Sequence, residues 1–315
     1  MSDLSDKRLL IIGGTTKAAT TSLYFYLQDH PEVCVSSIKE TRYFLDPSYP
    51  LQSSTRYDGK QNTYGEYYSH CTDEQVLVEA TPDYLYSAQT ASWLKSLYGD
   101  RVQLIFLLRE PLSRIESWFN FAKQDGHLPK ELSIDAYASS MLQQGEDSGD
   151  LVQHQRALEQ GRYAHYLQAW YEHFDAKDIH LIFFEDVKSQ PLGTMQKVAG
   201  LAGIDAGFYE DYALNIKNKT KQLKYPGIHK AYKKLRFVVR NRTHNVPLIH
   251  KRLQWLRKTV EPLYMKLNES KGQEKQQFSA GMRQQLVSYY AQDMKQLQQY
   301  TSLPAAWQEV HSPNT

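Results

Sequence analysis

The sequence predicts an α/β fold, a doubly wound parallel sheet flanked by helices, with insertions over the carboxyl edge of the sheet. Three features predict it. Strand-like apolar runs alternate with helix-like segments along most of the chain, the order that builds parallel sheets. "RVQLIFLLREP" is a continuously apolar strand candidate, as strands buried on both faces are. "IIGGTTKAATTSL" runs from an apolar stretch through two glycines and a lysine into a helical pattern, the outline of a loop that holds a phosphate.

The elements follow in order. The first strand is Arg8 to Gly14. A helix follows from about Thr20 to Gln28, with Leu23, Tyr26 and Leu27 on one face. "HPEVCVS" turns at Pro31 into a short second strand, and "QVLVEATP" supplies a third ending at Glu79. "SAQTASWLKSLYG" reads as a helix closed by Gly99, a residue suited to helix C-termini. The fourth strand covers Val102 to Arg109, and Pro111 opens a helix through about Ala122. "DIHLIFFEDV" is the last core strand. Residues 46–75 and 123–160 break this rhythm. Both read as excursions over the carboxyl edge of the sheet, where ligands bind in such folds.

Composition narrows the function. The net charge of +2 over 315 residues predicts no nucleic-acid partner. Two cysteines, Cys34 and Cys71, exclude a disulfide scaffold, and no Cys/His spacing suggests a metal. The opening "MSDLSDKRLL" lacks the pattern of a signal peptide, and no apolar run approaches a membrane span. Three N-x-[ST] sequons, at Asn218, Asn241 and Asn268, are therefore read as chance. The expectation is a soluble cytoplasmic protein. Segment 217–258 holds fourteen Lys or Arg and no Asp or Glu, which leaves the rest of the chain near −12. It reads as a solvated helical face, a cationic wall beside an anionic ligand, or a membrane-surface contact.

The loop after the first strand is the strongest local signal. Backbone N–H groups at a strand-to-helix turn face an anion, and Lys17 adds a charge there. The loop is P-loop-like but departs from the ATP motif G-x-x-x-x-G-K-[ST]. Lys17 is followed by Ala18 and Ala19, so the hydroxyl that would hold Mg²⁺ is missing.

"GGTTKAATTSLYFYLQDHP", "KETRYF", "EATPDYLY" and "LLREPLSRIESWF", in this order and spacing, resemble the sulfotransferases that use 3′-phosphoadenosine 5′-phosphosulfate (PAPS). "GRYAHYLQAWYEHF" and "LIFFEDV" resemble the carbohydrate and bacterial branches of that family. The resemblance is strongest over 8–122 and 161–203, and it implies one sulfotransferase domain over 1–315.

It also implies roles. Thr16, Lys17, Ala18, Ala19, Thr20, Thr21 and Ser22 match the 5′-phosphosulfate loop, with Ala19 where the family usually has glycine. Arg109 and Ser117 match the 3′-phosphate site, and a strand-end arginine suits a phosphate. Glu40 matches the catalytic base of the heparan-type branch, with Lys39 steadying it or binding the phosphosulfate. Glu79 is either structural or a second candidate base, and Ala80 replaces a frequent lysine. His30, before Pro31, reads as structural, whereas His70 and His127 lie in the excursions as candidate acceptor-site residues.

The implied reaction moves a sulfuryl group from PAPS to a hydroxyl or amine of a glycan or small-molecule natural product. It leaves adenosine 3′,5′-bisphosphate (PAP) and requires no metal. Two other classes stand beside it: a P-loop-type kinase, and a non-catalytic nucleotide-binding scaffold that touches a membrane through 217–258.

Overall fold

The computed structural model describes residues 6–51, 53, 55–144, 155–214 and 275–310. The basic segment 217–258 and the three sequons lie outside the described residues. The chain runs β1 (Arg8–Gly14), α1 (Thr20–Gln28), β2 (Val33–Val35), β3 (Val76–Ala80), α2 (Ala88–Tyr98), β4 (Val102–Leu108) and α3 (Pro111–Gln124). It continues with α4 (Ile134–Gln144), α5 (Tyr163–Tyr171), β5 (Ile179–Phe183), α6 (Phe184–Ser189) and α7 (Pro191–Ala202). Two further described helices are α8 (Ala280–Leu297) and α9 (Ala305–Val310).

The five strands form one sheet in the order β2-β3-β1-β4-β5, and every pairing is parallel. The two-residue alternation of strand side chains divides the core. Leu9, Ile11, Leu104 and Phe106 pack with Leu94 of α2, Phe119 of α3, Trp170 of α5 and Leu286 of α8. Leu10, Ile12, Ile105 and Leu107 pack with Leu23 of α1 and Val198 of α7 on the opposite face. Covering both faces explains the unbroken apolar run of β4. β1 lies at the centre, with β3 on one side and β4 on the other. The chain order therefore reverses around β1, and such a switch point opens a crevice at the carboxyl ends of its strands.

The two glycines that end β1 are needed for packing. A Cβ on Gly13 would lie 2.7 Å from Phe106, and one on Gly14 would lie 2.9 Å from Leu85. Both distances are too short for any other residue. The glycines thus seat the following loop deep between β3 and β4.

Two features differ from the sequence reading. The excursion over 123–160 contains a helix, α4, because Ile134, Tyr137, Ala138 and Met141 recur at helical spacing and bury one face. The two cysteines, too few for a scaffold, nevertheless form a disulfide, Cys34–Cys71, with Cα atoms 5.9 Å apart. It ties the edge strand β2 to the excursion over 46–75. The loop it closes spans 37 residues, and closing one of that length contributes about 4 kcal/mol through the unfolded chain. Reduction, or Cys71→Ser, is expected to lower stability by about that amount. Denaturant unfolding with and without a reductant checks this, and equal midpoints would contradict it.

Candidate active site

Three segments meet the crevice: the loop after β1, the segment after β2, and the turn from β4 into α3. The loop begins where Thr15 N–H donates to the carbonyl of Leu107 on β4. Lys17 and Ala19 then take left-handed backbone angles, both with φ 69°. A side chain there costs about 1–2 kcal/mol, so Ala19 holds by strain a conformation that glycine would adopt freely. Ala19 gives α1 no side-chain cap, and its leading N–H groups are left to an anion.

The side chains of the loop divide into two sets. Ala18 is fully buried in the core, and Thr20 and Ser22 are buried. The Ser22 hydroxyl is engaged with Tyr26. These three side chains are thus committed to the protein interior. Thr15 Oγ1 and the Tyr86 hydroxyl hydrogen-bond each other. Thr16 Oγ1 lies buried near the same hydroxyl with no well-formed hydrogen bond. An unsatisfied buried hydroxyl beside Lys17 fits a phosphosulfate oxygen.

Lys17 is half-buried, and its ammonium sits over the Phe121 ring at 4.2 Å. Burial lowers its pKa to about 8; Arg109 and Lys275 push it the same way, and Asp125 opposes them. Arg109, just past β4, donates from Nη1 to the Lys17 carbonyl (3.1 Å) and from Nε to Ser113 Oγ (3.3 Å). Its guanidinium covers the Phe184 ring at 4.4 Å, and its own carbonyl accepts from the Tyr163 hydroxyl at 2.6 Å. The loop and the β4 end are thus one joined cationic unit. Ser117 lies half-buried one turn beyond Ser113, and it is Ser113 that bonds Arg109.

The segment after β2 carries Lys39 and Glu40. Glu40 also takes a left-handed backbone, with φ 62°. Lys39 Nζ lies 2.6 Å from Glu40 Oε1, and Arg42 Nη2 lies 3.3 Å from Oε2. Burial raises the Glu40 pKa, but Lys39 and Arg42 outweigh it and hold the carboxyl below its ordinary value of 4.5. The carboxylate remains one-third exposed.

The other candidates separate cleanly. Glu79 is fully buried and accepts from Thr41, Thr81, Tyr64 and Tyr84. Full burial among four hydroxyls favours the structural reading of Glu79 over that of a second base. His30 is structural, as expected: Nδ1 accepts from Glu32 N–H, which leaves Nε2 to donate to the Asp205 carbonyl. His70 is exposed and lies 3.5 Å from Cys34 Sγ. Cys34, His70 and Cys71 form a cluster of metal-capable side chains, but both sulfurs are held in the disulfide. His127 pairs with Asp125 at 3.1 Å on the turn after α3. No described helix is long and apolar enough to cross a membrane.

Sequence reasoning missed Lys275, Phe121, Phe184, Ser113 and Arg42. Lys275 follows the site by more than 150 residues and belongs to no local motif. The two phenylalanines read as ordinary core residues. Arg42 was visible inside "KETRYF", where its place two residues after Glu40 was a usable signal.

A parallel α/β sheet with a cationic loop at its switch point is an arrangement suited to a phosphorylated ligand. The chain belongs to the sulfotransferase domain family, whose model matches residues 7–299. Human heparan sulfate glucosamine 3-O-sulfotransferase 3B1 is 26% identical over 226 residues, covering 70% of this chain and 51% of that protein. The membrane-associated sulfotransferase kil1 of Dictyostelium discoideum is 35% identical over 114 residues, 36% of this chain and 23% of that one. The chain therefore spans about half the length of the human relative or less of these proteins. A sulfotransferase structure from Alicyclobacillus acidocaldarius superposes with a TM-score of 0.63 at 17% identity, covering 96% of this chain and 98% of that one. That likeness is one of fold.

The Lys17 pKa generates a test. A polyphosphate nucleotide binds best when Lys17 is protonated, so PAP affinity is expected to be flat below pH 8 and to fall above it, by up to about tenfold per pH unit. Lys17→Arg, always charged, should flatten that decline. Calorimetry between pH 6.5 and 9.5 reads both; an unchanged affinity across the range for the native protein would contradict the assignment.

Proposed function

We propose that this chain transfers the sulfuryl group of PAPS to a hydroxyl or amine of a glycan or small-molecule natural product, releasing PAP. One observation carries the reading: Arg109 donates to the Lys17 carbonyl. This bond joins the two anion-binding elements at the switch point, as a nucleotide with phosphates at both ends requires. In this reading Thr16, Lys17 and the backbone of 18–22 take the 5′-phosphosulfate. Arg109 takes the 3′-phosphate, with Ser113 or Ser117 beside it.

The residues then have definite work. The acceptor oxygen attacks sulfur in line, its proton passes to Glu40, and the new O–S bond forms. The bond between sulfur and the 5′-phosphate oxygen breaks, and its electron pair stays on that oxygen. Lys17 and the loop N–H groups face the charge that grows there. Lys39 and Arg42 keep Glu40 ionised until the proton moves. Lys275 adds positive charge on the leaving-group side. Family membership and the glycan-modifying relatives support the acceptor class. A cytoplasmic location belongs to the same proposal, and the Cys34–Cys71 disulfide weighs against it, because such bonds persist mainly in oxidising compartments.

Labelled PAPS offered with alcohols, glycans and amines tests the reaction, with ATP and Mg²⁺ as the contrast. Phosphoryl transfer from ATP would replace this reading with a kinase, and nucleotide binding with no turnover would replace it with a scaffold. Glu40→Gln is expected to lower kcat by about 10²–10⁴-fold while PAP binding is kept. In the native enzyme the acid limb of kcat/KM should fall below pH 4.5, because Glu40 loses its charge only there. Full activity of Glu40→Gln would show that another group takes the proton.

Arg109→Ala should weaken PAP binding by about tenfold or more, the cost of one charge-assisted hydrogen bond. Because Arg109 also holds the Lys17 carbonyl, binding of adenosine 5′-phosphosulfate should weaken as well, but less. Equal losses for both nucleotides, measured by calorimetry, would remove the 3′-phosphate from its role.

A further inference from the structure

The loop that carries Glu40 ought not to be stable by itself. Glu40 and Arg42 both adopt left-handed backbones, with φ 62° and 57°. Each costs about 1–2 kcal/mol for a residue with a side chain. Something must hold the segment, and the hydrogen bonds of the next three residues show what does.

Three successive amides of this loop end on three hydroxyls. Arg42 N–H donates to Thr81 Oγ1 at 3.2 Å, Tyr43 N–H to Thr41 Oγ1 at 3.2 Å, and Phe44 N–H to the Tyr84 hydroxyl at 3.2 Å. Each of these hydroxyls in turn donates a hydrogen bond to Glu79: Thr41 at 2.5 Å, Thr81 at 2.6 Å and Tyr84 at 3.1 Å. The Tyr64 hydroxyl, from the excursion over 46–75, donates to the other oxygen at 2.6 Å and contacts the Tyr68 hydroxyl at 3.0 Å. Four O–H groups thus converge on the two carboxyl oxygens, which accept them. Burial raises the Glu79 pKa above its ordinary value of 4.5, and these hydroxyls offset only part of that rise. No described lysine, arginine or histidine forms an ion pair with it within 4 Å. A buried carboxylate satisfied only by hydroxyls sets the direction of every one of them.

We infer that Glu79 is the positioning residue of the proton-accepting loop. Its carboxylate orients the hydroxyls of Thr41, Thr81 and Tyr84 so that their oxygens receive the amides of Arg42, Tyr43 and Phe44. That grip holds Glu40 in its left-handed position and, through Tyr64, fixes the excursion over 46–75 to the same point. Glu79 itself touches neither donor nor acceptor. The inference rests on the sulfotransferase reading for its kinetic consequences and on hydrogen bonding alone for its structural one.

Glu79→Gln keeps the shape and turns one acceptor oxygen into a donor, so at least one hydroxyl must rotate away and release its amide. Hydrogen exchange should be at least tenfold faster at the amides of Arg42, Tyr43 and Phe44, with amides of β4 unchanged. The kcat for sulfuryl transfer should fall on the order of 10- to 100-fold, the scale of a misplaced catalytic group, while PAP affinity stays within about twofold. In a Glu40→Gln background the same change should cause no further loss, because it acts through Glu40. Thr41→Val should repeat the effect and Thr41→Ser should not, since only the hydroxyl matters. This pair also serves if Glu79→Gln does not fold.

Unchanged exchange at these three amides would overturn the inference, as would a loss in kcat fully additive with Glu40→Gln or a parallel loss of PAP binding. A wild-type protein that transfers no sulfuryl group defeats the functional reading instead. The exchange experiment still decides the role of Glu79 in that case.

Discussion

The close packing at the end of β1 is the constraint on which the rest of the site depends. Gly13 lies against Phe106 and Gly14 against Leu85, at distances that leave no room for a Cβ. Only this approach lets the chain leave the sheet between β3 and β4. The next residue then donates to Leu107, and the loop wraps back over the end of β4 to meet Arg109. A larger residue at either glycine would move the loop away from Arg109. The cationic unit exists because two glycines bring two strands' ends together.

That unit carries an electrostatic cost in the free protein. Burial penalises the charge of Lys17 most, and Arg109 and Lys275 both repel it. Two aromatic faces offset part of it. Phe121 receives the ammonium of Lys17 and Phe184 the guanidinium of Arg109, interactions that strengthen as water is excluded. The rings hold both cations near where an anion would bind, so little side-chain freedom is lost on binding. The base side is organised differently. There two left-handed residues are held by a relay of hydroxyls ending on one buried carboxylate. Cations over aromatic faces organise one side, strain and hydrogen bonds the other, and both originate at the ends of adjacent strands.

Much of this could be read in the sequence wherever the cause was local. The strand–glycine–lysine–helix pattern marked the Lys17 loop, and the polar residue ending an apolar run marked Arg109. Glu40 was found through its neighbours in "KETRYF". The alternation of strands and helices led to the parallel sheet. Local reading noted only that Ala19 stands where the family usually has glycine, and missed that its backbone is left-handed and held by strain. It also left α4 unrecognised within the excursion, because a short polar helix is decided by what it packs against.

The sequence by itself determined the strands, the loop and the chemistry available at their ends, because periodicity, glycine and charge act within a few residues. Only the tertiary structure decided which of those groups meet. It showed that Arg109 bonds the Lys17 backbone and Ser113, with Ser117 one turn further along α3. It brought Lys275 to Lys17 from the far end of the chain and joined Cys34 to Cys71. It also buried Glu79 among the hydroxyls of Thr41, Thr81, Tyr64 and Tyr84. Each of these depends on separations of one turn to more than two hundred residues across packed elements, and no spacing along the chain encodes such distances.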